Sequence, residues 1–522
     1  MASSLHLLVG LGILAVTTSL PAHAQNPGKG RTVPDSSVQQ AVTTITASDF
    51  LAKLGALAHD STRGRETPSP ELERATEWVA EQFRTAGLDP GGDAGGYLQR
   101  FDVQHRRLDS LTAFASTEGG KMTAWNFGQD LIFVAGGLPV EVRDAPVVLL
   151  IGIPADTLDP FGGVVVRGAV LVHVLAPDQV NGRVLNPLHQ RADAEGVVAH
   201  IVASQIPPDR WSRFARNSFP ERWEVIDAAS RDRMGVFGLQ LDAGLDLLRA
   251  AGEDSTTLMS PAGWRVRPLP HVTISLVPYH TITERATVAN VVGVLEGSDP
   301  ALQNEAVVFT SHMDHVGVIP GRCNPSDATP GDSICNGADD NASGTVGVIE
   351  LAQAFATLNP RPARTLVFAA MTAEERGLFG SRFYVEHPRV PLAQTAAVMN
   401  LDMIARNPPD TVGFLGKDYT SLGQVIDRVA AEHPELGLTP AEHRGRFTAS
   451  DHFPFVEQGV PALFFFSGEH EDLHTAADNP ERANPDQAAR IVRLAFLAGF
   501  AVANAPERPT WDPEARARYV EQ

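Results

Sequence analysis

Val307-Val-Phe-Thr-Ser-His312-Met-Asp314-His315 ends an apolar run on two imidazoles and an acid. Working outward, the pattern of acids or histidines beside an apolar run returns in Gly337-Ala-Asp339-Asp340-Asn-Ala-Ser-Gly344, Thr372-Ala-Glu374-Glu375-Arg-Gly377, Met399-Asn-Leu-Asp402-Met403 and Glu471-Asp-Leu-His474-Thr-Ala-Ala-Asp478. Around these segments, between Thr287 and Val502, predicted strands alternate with predicted helices, among them one over Ala373 to Tyr384. Such alternation predicts an α/β fold with a mostly parallel, mixed sheet covered by helices. All but one of the segments fall at or just past the carboxyl end of a predicted strand, where open α/β sheets place their ligand sites. The exception, around Asp340, opens a helix.

Histidines and carboxylates gathered from distant segments are the ligand set of zinc, and a catalytic zinc keeps one position open for water. The candidates suffice for two ions. If Asp340 bridges them, one takes His312 and Asp402 and the other takes Glu375 and His474. The formal charges of two zinc ions, three ligand carboxylates and a bridging hydroxide then sum to zero, which suits a buried site. Asp314, two residues after His312, is placed to accept the other ring N–H of that histidine, as acids behind metal ligands do. One of the adjacent acids Glu374 and Glu375 can coordinate while the other serves as general base; the residues alone leave open which does which. Asp402 carries extra weight, because an unpaired acid inside an apolar strand is expensive. His315 and His452 are further imidazoles expected near the site, as substrate contacts or as polar residues of its rim.

Ser-His-x-Asp, Gly-Ala-Asp-Asp-Asn-Ala-Ser-Gly, Glu-Glu-x-Gly-x-x-Gly-Ser, Asn-x-Asp-Met and Ser450-Asp451-His452 followed by His474-Thr together resemble the M28 family of zinc peptidases over residues 45 to 115 and 285 to 503. The resemblance implies a phosphorylase/hydrolase-like fold with a zinc pair. It matches His312, Asp340, Glu375, Asp402 and His474 to the metal ligands, Glu374 to the general base and Asp314 to the acid behind the ligands. Gly168-Ala-Val-Leu-Val-His-Val and Ala194-Glu-Gly-Val-Val are similar to the protease-associated domain that some members carry. What this implies is a secreted exopeptidase acting on peptides, most simply an aminopeptidase using a metal-bridging hydroxide. A carboxypeptidase or dipeptidase of the same family, a single-zinc glutaminyl-peptide cyclotransferase and a non-catalytic receptor-like relative are the alternatives. The last should lack ligands or base, and none is missing.

The rest of the chain frames this reading. At 522 residues it exceeds the size of a single core. A net charge of −20 and no basic run exclude a nucleic-acid binder. The apolar run from Leu7 to Leu20, followed by Pro21-Ala-His-Ala24, reads as a signal peptide over residues 1–24, giving a secreted or periplasmic protein without stable membrane insertion. In an oxidising compartment Cys323 and Cys335, the only cysteines, are expected to pair. Residues 25 to 45 read as a flexible lead, 45–125 as the N-terminal part of the peptidase domain with a helix capped by Ser48, 126–276 as a β-rich protease-associated-like insert, and 285–505 as the catalytic domain. The tail after Ala505 reads as poorly ordered. The oligomeric state stays open.

Overall fold

In the strand Ala306–His312 every residue is buried, and alternate side chains serve different cores. Val307 and Phe309 join one apolar cluster and Ala306 and Val308 another. Leu366 and Phe368 face the first cluster and Val367 and Ala369 the second, so both faces of the sheet are covered. A strand buried on both faces reads as a continuous apolar run, since successive side chains point to opposite sides.

The computed structural model describes residues 33–137, 141–154, 159–175, 182–207, 211–212, 215, 221–226, 234–253, 264–443 and 445–520. The expected signal peptide lies outside these residues. Among them, no helix is long and apolar enough to cross a membrane. The larger sheet runs in the order Thr439–Glu442, Thr411–Leu415, Ala462–Phe465, Thr395–Leu401, Ala306–His312, Thr365–Met371, His280–Leu295, Leu98–Leu108 and Glu221–Val225, with the short Asp89–Pro90 beside His280–Leu295. Its four central strands are parallel, and antiparallel strands flank them on both sides. The helices Ala47–Leu57, Pro70–Thr85, Gly344–Ala356 and Pro485–Asn504 contribute to the first core. Phe379–Glu386 and Phe453–Glu457 contribute to the second.

A second, eight-stranded sheet holds Lys121–Asn126, Ala113–Glu118, Arg265–Val277, Val142–Ile151, Val170–Val174, Ala199–Ser204, Gly235–Gln240 and Leu131–Gly136, in that order. The chain leaves the first sheet at Leu108 and re-enters it at His280, which is paired with Leu108 in register. This sheet begins at Ala113, ahead of residue 126, and Glu221–Val225 crosses back to pair with Leu98–Leu108.

Several local expectations change. Residues 35–44 form a helix, because Val38, Ala41 and Val42 share one face and bury it. Thr46 caps the next helix in place of Ser48, its hydroxyl accepting from Asp49 N at 3.2 Å. The tail is ordered as far as a helix over Pro513–Tyr519, anchored by Trp511 Nε1 donating to Gly459 O at 2.9 Å. The helix expected from Ala373 starts only at Phe379, since Ala373 and Leu378 have φ of 60° and 63°. Left-handed backbone ends a right-handed helix and here swings two glutamates out of it.

Gly499 packs the long Pro485–Asn504 helix onto the sheet: a Cβ there would stand 2.4 Å from Phe309 Cζ. Phe309 is itself held by Phe368, ring centroids 5.4 Å apart. Gly499→Ala is therefore expected to destabilise the protein by about 1–3 kcal/mol through overpacking, measurable as a lower midpoint in urea unfolding.

Candidate metal centre

Three parallel strands deliver the first group of side chains. His312 ends Ala306–His312, Glu374 follows Thr365–Met371 and Asp402 follows Thr395–Leu401. His312 Nε2 lies 3.4 Å from Asp402 Oδ1, 3.4 Å from Asp340 Oδ1 and 3.9 Å from Glu374 Oε2. The other oxygen of Asp340 faces a second group: Oδ2 is 3.1 Å from His474 Nε2 and 3.5 Å from His315 Nδ1. Glu375 Oε1 closes that group, 3.2 Å from His474 Nε2 and 3.1 Å from His315 Nδ1. Asp340 is thus the one side chain shared by both groups. His312, Asp340, Glu374, Glu375, Asp402 and His474 all come together, and His315 joins them.

The donor set fits metal. Atoms bound at about 2.0–2.1 Å to one tetrahedral ion lie about 3.3–3.5 Å apart, close to the spacings here. Asp402 Oδ1, Glu375 Oε1 and both ring nitrogens of His315 are buried without a hydrogen-bond partner. Buried polar groups are otherwise almost always paired.

The Asp-Asp-Asn-Ala-Ser-Gly segment holds Asp340 in place. Asn341 Nδ2 donates to Leu401 O at 3.0 Å, Ile404 N to Ser343 Oγ at 3.1 Å and Ala405 N to Asp339 Oδ1 at 2.7 Å, tying the segment to the backbone around Asp402. Asp478 accepts from the backbone N–H of Asp339 and Asp340. Gly344 is needed for close approach, since a Cβ there would stand 2.1 Å from Leu401 O.

Asp314 acts differently from its sequence expectation. Its carboxylate is 3.9 Å from His312 Nδ1, whereas its backbone carbonyl accepts from that nitrogen at 3.1 Å. The carbonyl thereby fixes the tautomer that leaves Nε2 free for the cluster. The carboxylate accepts instead from Thr67 Oγ1 at 2.9 Å and from Glu374 N at 3.1 Å, so it positions the glutamate backbone. His452 is not a rim residue: it is fully buried against Phe447 and Phe464, with Nε2 at 2.6 Å from Phe447 O.

Electrostatics separates the two glutamates. Burial pushes Glu374 well above the usual carboxylate range, and the positive charge on His312 does not offset it. Burial also pushes Glu375 up, but His315 and His474 outweigh it and hold its pKa well below that range. Neighbouring acids driven apart in this way are suited to different tasks, one holding a proton and one remaining ionised.

Two supports lie outside the cluster itself, and the first of them, Arg65, carried no sequence signal. Arg65 is fully buried and donates to the carbonyls of Met313, Leu57, Asn336 and Gly337 at 2.7–2.9 Å, clamping the loops on either side of Asp340. Burial lowers its pKa to about 10 against the pull of Asp314, Asp478 and Asp340. The second support is the loop closed by the Cys323–Cys335 disulfide. His474 has φ of 54°, a strained left-handed conformation. Asn324 N and Nδ2 hold it by donating to His474 O at 3.0 and 3.1 Å, and Arg322 holds Glu375 O at 2.7 Å.

Residues 290–498 match the model of peptidase family M28. A probable zinc metalloprotease from Pyricularia oryzae is 28% identical over 266 residues, 42% of this chain and 50% of the relative. Leupeptin-inactivating enzyme 1 from Streptomyces exfoliatus is 32% identical over 184 residues, 35% of this chain and 36% of the relative. The chain spans about half the length of the zinc metalloprotease relatives it matches. Among solved structures, an aminopeptidase from Aneurinibacillus sp. strain AM-1 aligns with 18% identity and a TM-score of 0.48, covering 91% of this chain and 98% of that one. A zinc aminopeptidase from Bacillus subtilis aligns with 17% identity and a TM-score of 0.46, covering 94% and 100%.

Two expectations follow from the supports and the charges. Replacing both cysteines by serine should destabilise the chain by about 3 kcal/mol in the loop-entropy view, read from denaturant unfolding. His474 is raised to about 10 by its hydrogen bonds with Asp340 and Glu375, and acid neighbours hold His312 well above its ordinary value despite burial. Metal binds neutral imidazole, so zinc added to metal-free protein at pH 7 should release a proton from each, and affinity should fall as pH falls. Calorimetry in buffers of different ionisation enthalpy reads that release directly.

Proposed function

We propose that the chain is an exported di-zinc exopeptidase, and specifically an aminopeptidase that releases N-terminal residues from peptides. The observation that carries the reading is Asp340, whose Oδ1 faces His312 Nε2 at 3.4 Å while its Oδ2 faces the imidazole nitrogens of His315 and His474, in the second group, at 3.5 and 3.1 Å. In this reading His312, Asp340 and Asp402 hold one zinc, and Asp340, Glu375 and His474 help hold the other. When bound, the pair would polarise the scissile carbonyl and lower the pKa of water. Glu374 stands beside this pair and, as general base, takes a proton there and returns it to the leaving amine. Asp314 keeps Glu374 in position through the backbone N–H, and the disulfide loop keeps His474 and Glu375 in theirs. The leader-like residues 1–24 support export.

The inserted sheet is assigned a gating role in this proposal. Strand His280–Leu295 is level with the centre near Val291, which pairs with Ala370. From there it runs on beyond the carboxyl edge of the parallel strands to His280, paired with Leu98–Leu108 throughout. At about 3.4 Å per residue the arm is roughly 37 Å long and carries the insert on the side of the sheet where the centre lies. A cover on that side restricts entry to short peptides with a free terminus.

Metal analysis and a substrate panel test the proposal together. The mature chain should hold two zinc ions and cleave aminoacyl-anilides, and chelation should abolish the activity until zinc is restored. Glu374→Gln should keep both ions while activity falls by about 10²- to 10⁴-fold; Glu375→Gln should lose metal. One ion at saturation would favour the single-zinc cyclotransferase. Internal cuts in a long unstructured peptide would remove both the exopeptidase reading and the gate.

A further inference from the structure

His315 is the one member of the cluster with no task in the scheme above. It follows the His-x-Asp segment directly, its side chain is fully buried, and its N–H is set against Arg65 O at 3.3 Å. Full burial removes it from direct contact with substrate in solution. Its Nδ1 faces Glu375 Oε1 at 3.1 Å and Asp340 Oδ2 at 3.5 Å, and its ring meets the His474 ring edge to face at 5.4 Å. Neither ring nitrogen has a hydrogen-bond partner. One ligand atom from each of His315, Asp340, Glu375 and His474 can be chosen so that all lie within 4.8 Å of one another.

The backbone presses the ring into this position. Gly337 has φ of 57°, and a Cβ there would stand 2.4 Å from His315 Cγ and 2.2 Å from Asp340 O. Only glycine leaves room for the imidazole beside the Asp340 loop. Arg65, which donates to Gly337 O, fixes the same wall from behind.

We propose that His315 is a metal ligand, the fourth side chain of the site formed with Asp340, Glu375 and His474. The inference rests on the two-metal reading above and adds an asymmetry to it. Four protein ligands complete a tetrahedral zinc, the arrangement of closed sites, whereas three leave a position for water. The ion at His315 is then the more tightly held of the two. The ion at His312, with Asp340 and Asp402 as its ligands and Glu374 at 3.9 Å, keeps the open position where substrate and water meet the base.

The test is zinc binding to the metal-free full-length chain, with both dissociation constants obtained by chelator competition and folding checked by circular dichroism. His315→Ala and His315→Asn are compared with the unmodified chain. Asparagine offers a polar donor towards Glu375 but is a poor zinc ligand, so it separates coordination from mere positioning. The expected result is a weakening of the tighter site by more than about 100-fold in both variants, beyond the scale of supporting residues, with the weaker site little changed. Unchanged constants in His315→Ala, or recovery of tight binding in His315→Asn, would overturn the inference. An unmodified chain that binds a single zinc would sink the two-metal reading instead. His315 would still stand as a ligand if His315→Ala loses that ion, and would fall if the variant keeps it.

Discussion

The mutual repulsion of Asp340, Glu374, Glu375 and Asp402 is the constraint around which the catalytic half is built. Each is mostly or fully buried, and their oxygens crowd around three imidazoles. Unpaired charges in such a place are costly, and a protein compensates them with cations or with protons. Without metal the compensation comes from protons, on Glu374, His312 and His474. In the proposed two-zinc reading, divalent ions would replace those protons and turn a strained cluster into a neutral one, making metal binding and the stability of this face one equilibrium.

The surroundings follow from holding these groups close. Parallel strands align His312, Asp402 and the Glu374 segment at one edge. The Asp339 to Ser343 loop is locked onto the backbone that follows Leu401. Arg65 ties together carbonyls that would otherwise be orphaned beside the acids. The disulfide loop keeps His474 in a backbone conformation that histidine seldom adopts. These supports come from the N-terminal segment, a loop and the core, which is why the site needs the whole domain.

The sheet centre and the side chains that gather in the cluster were legible in the sequence because each depends on local pattern. Runs such as Val307–Phe309 announce a strand buried on both faces, and an acid such as Asp402 inside a run of that kind is too costly to bury without a compensating charge. What was illegible depends on tertiary contact. Arg65 lies in a segment with no periodicity, and its partners are carbonyls, which leave no mark in side-chain identity. Glu374 and Glu375 look like the first turn of a helix until the left-handed Ala373 and Leu378 bend them away from it. Thr46 outcompetes Ser48 as a cap through a geometric difference of two residues. The outer half of the antiparallel arm, from Thr287 to His280, carries no strand signal in the sequence, since it is largely exposed and lacks the apolar run that marks Val288 to Leu295.

The central claim is that Asp340 stands between two zinc ions. Anomalous diffraction at the zinc edge from crystals of the zinc-loaded chain tests it most directly. The account predicts two peaks about 3.5–4 Å apart, one on each oxygen of Asp340, with His312 and Asp402 around one and Glu375 and His474 around the other. A single peak at saturating zinc, or two peaks of which only one touches Asp340, would contradict it.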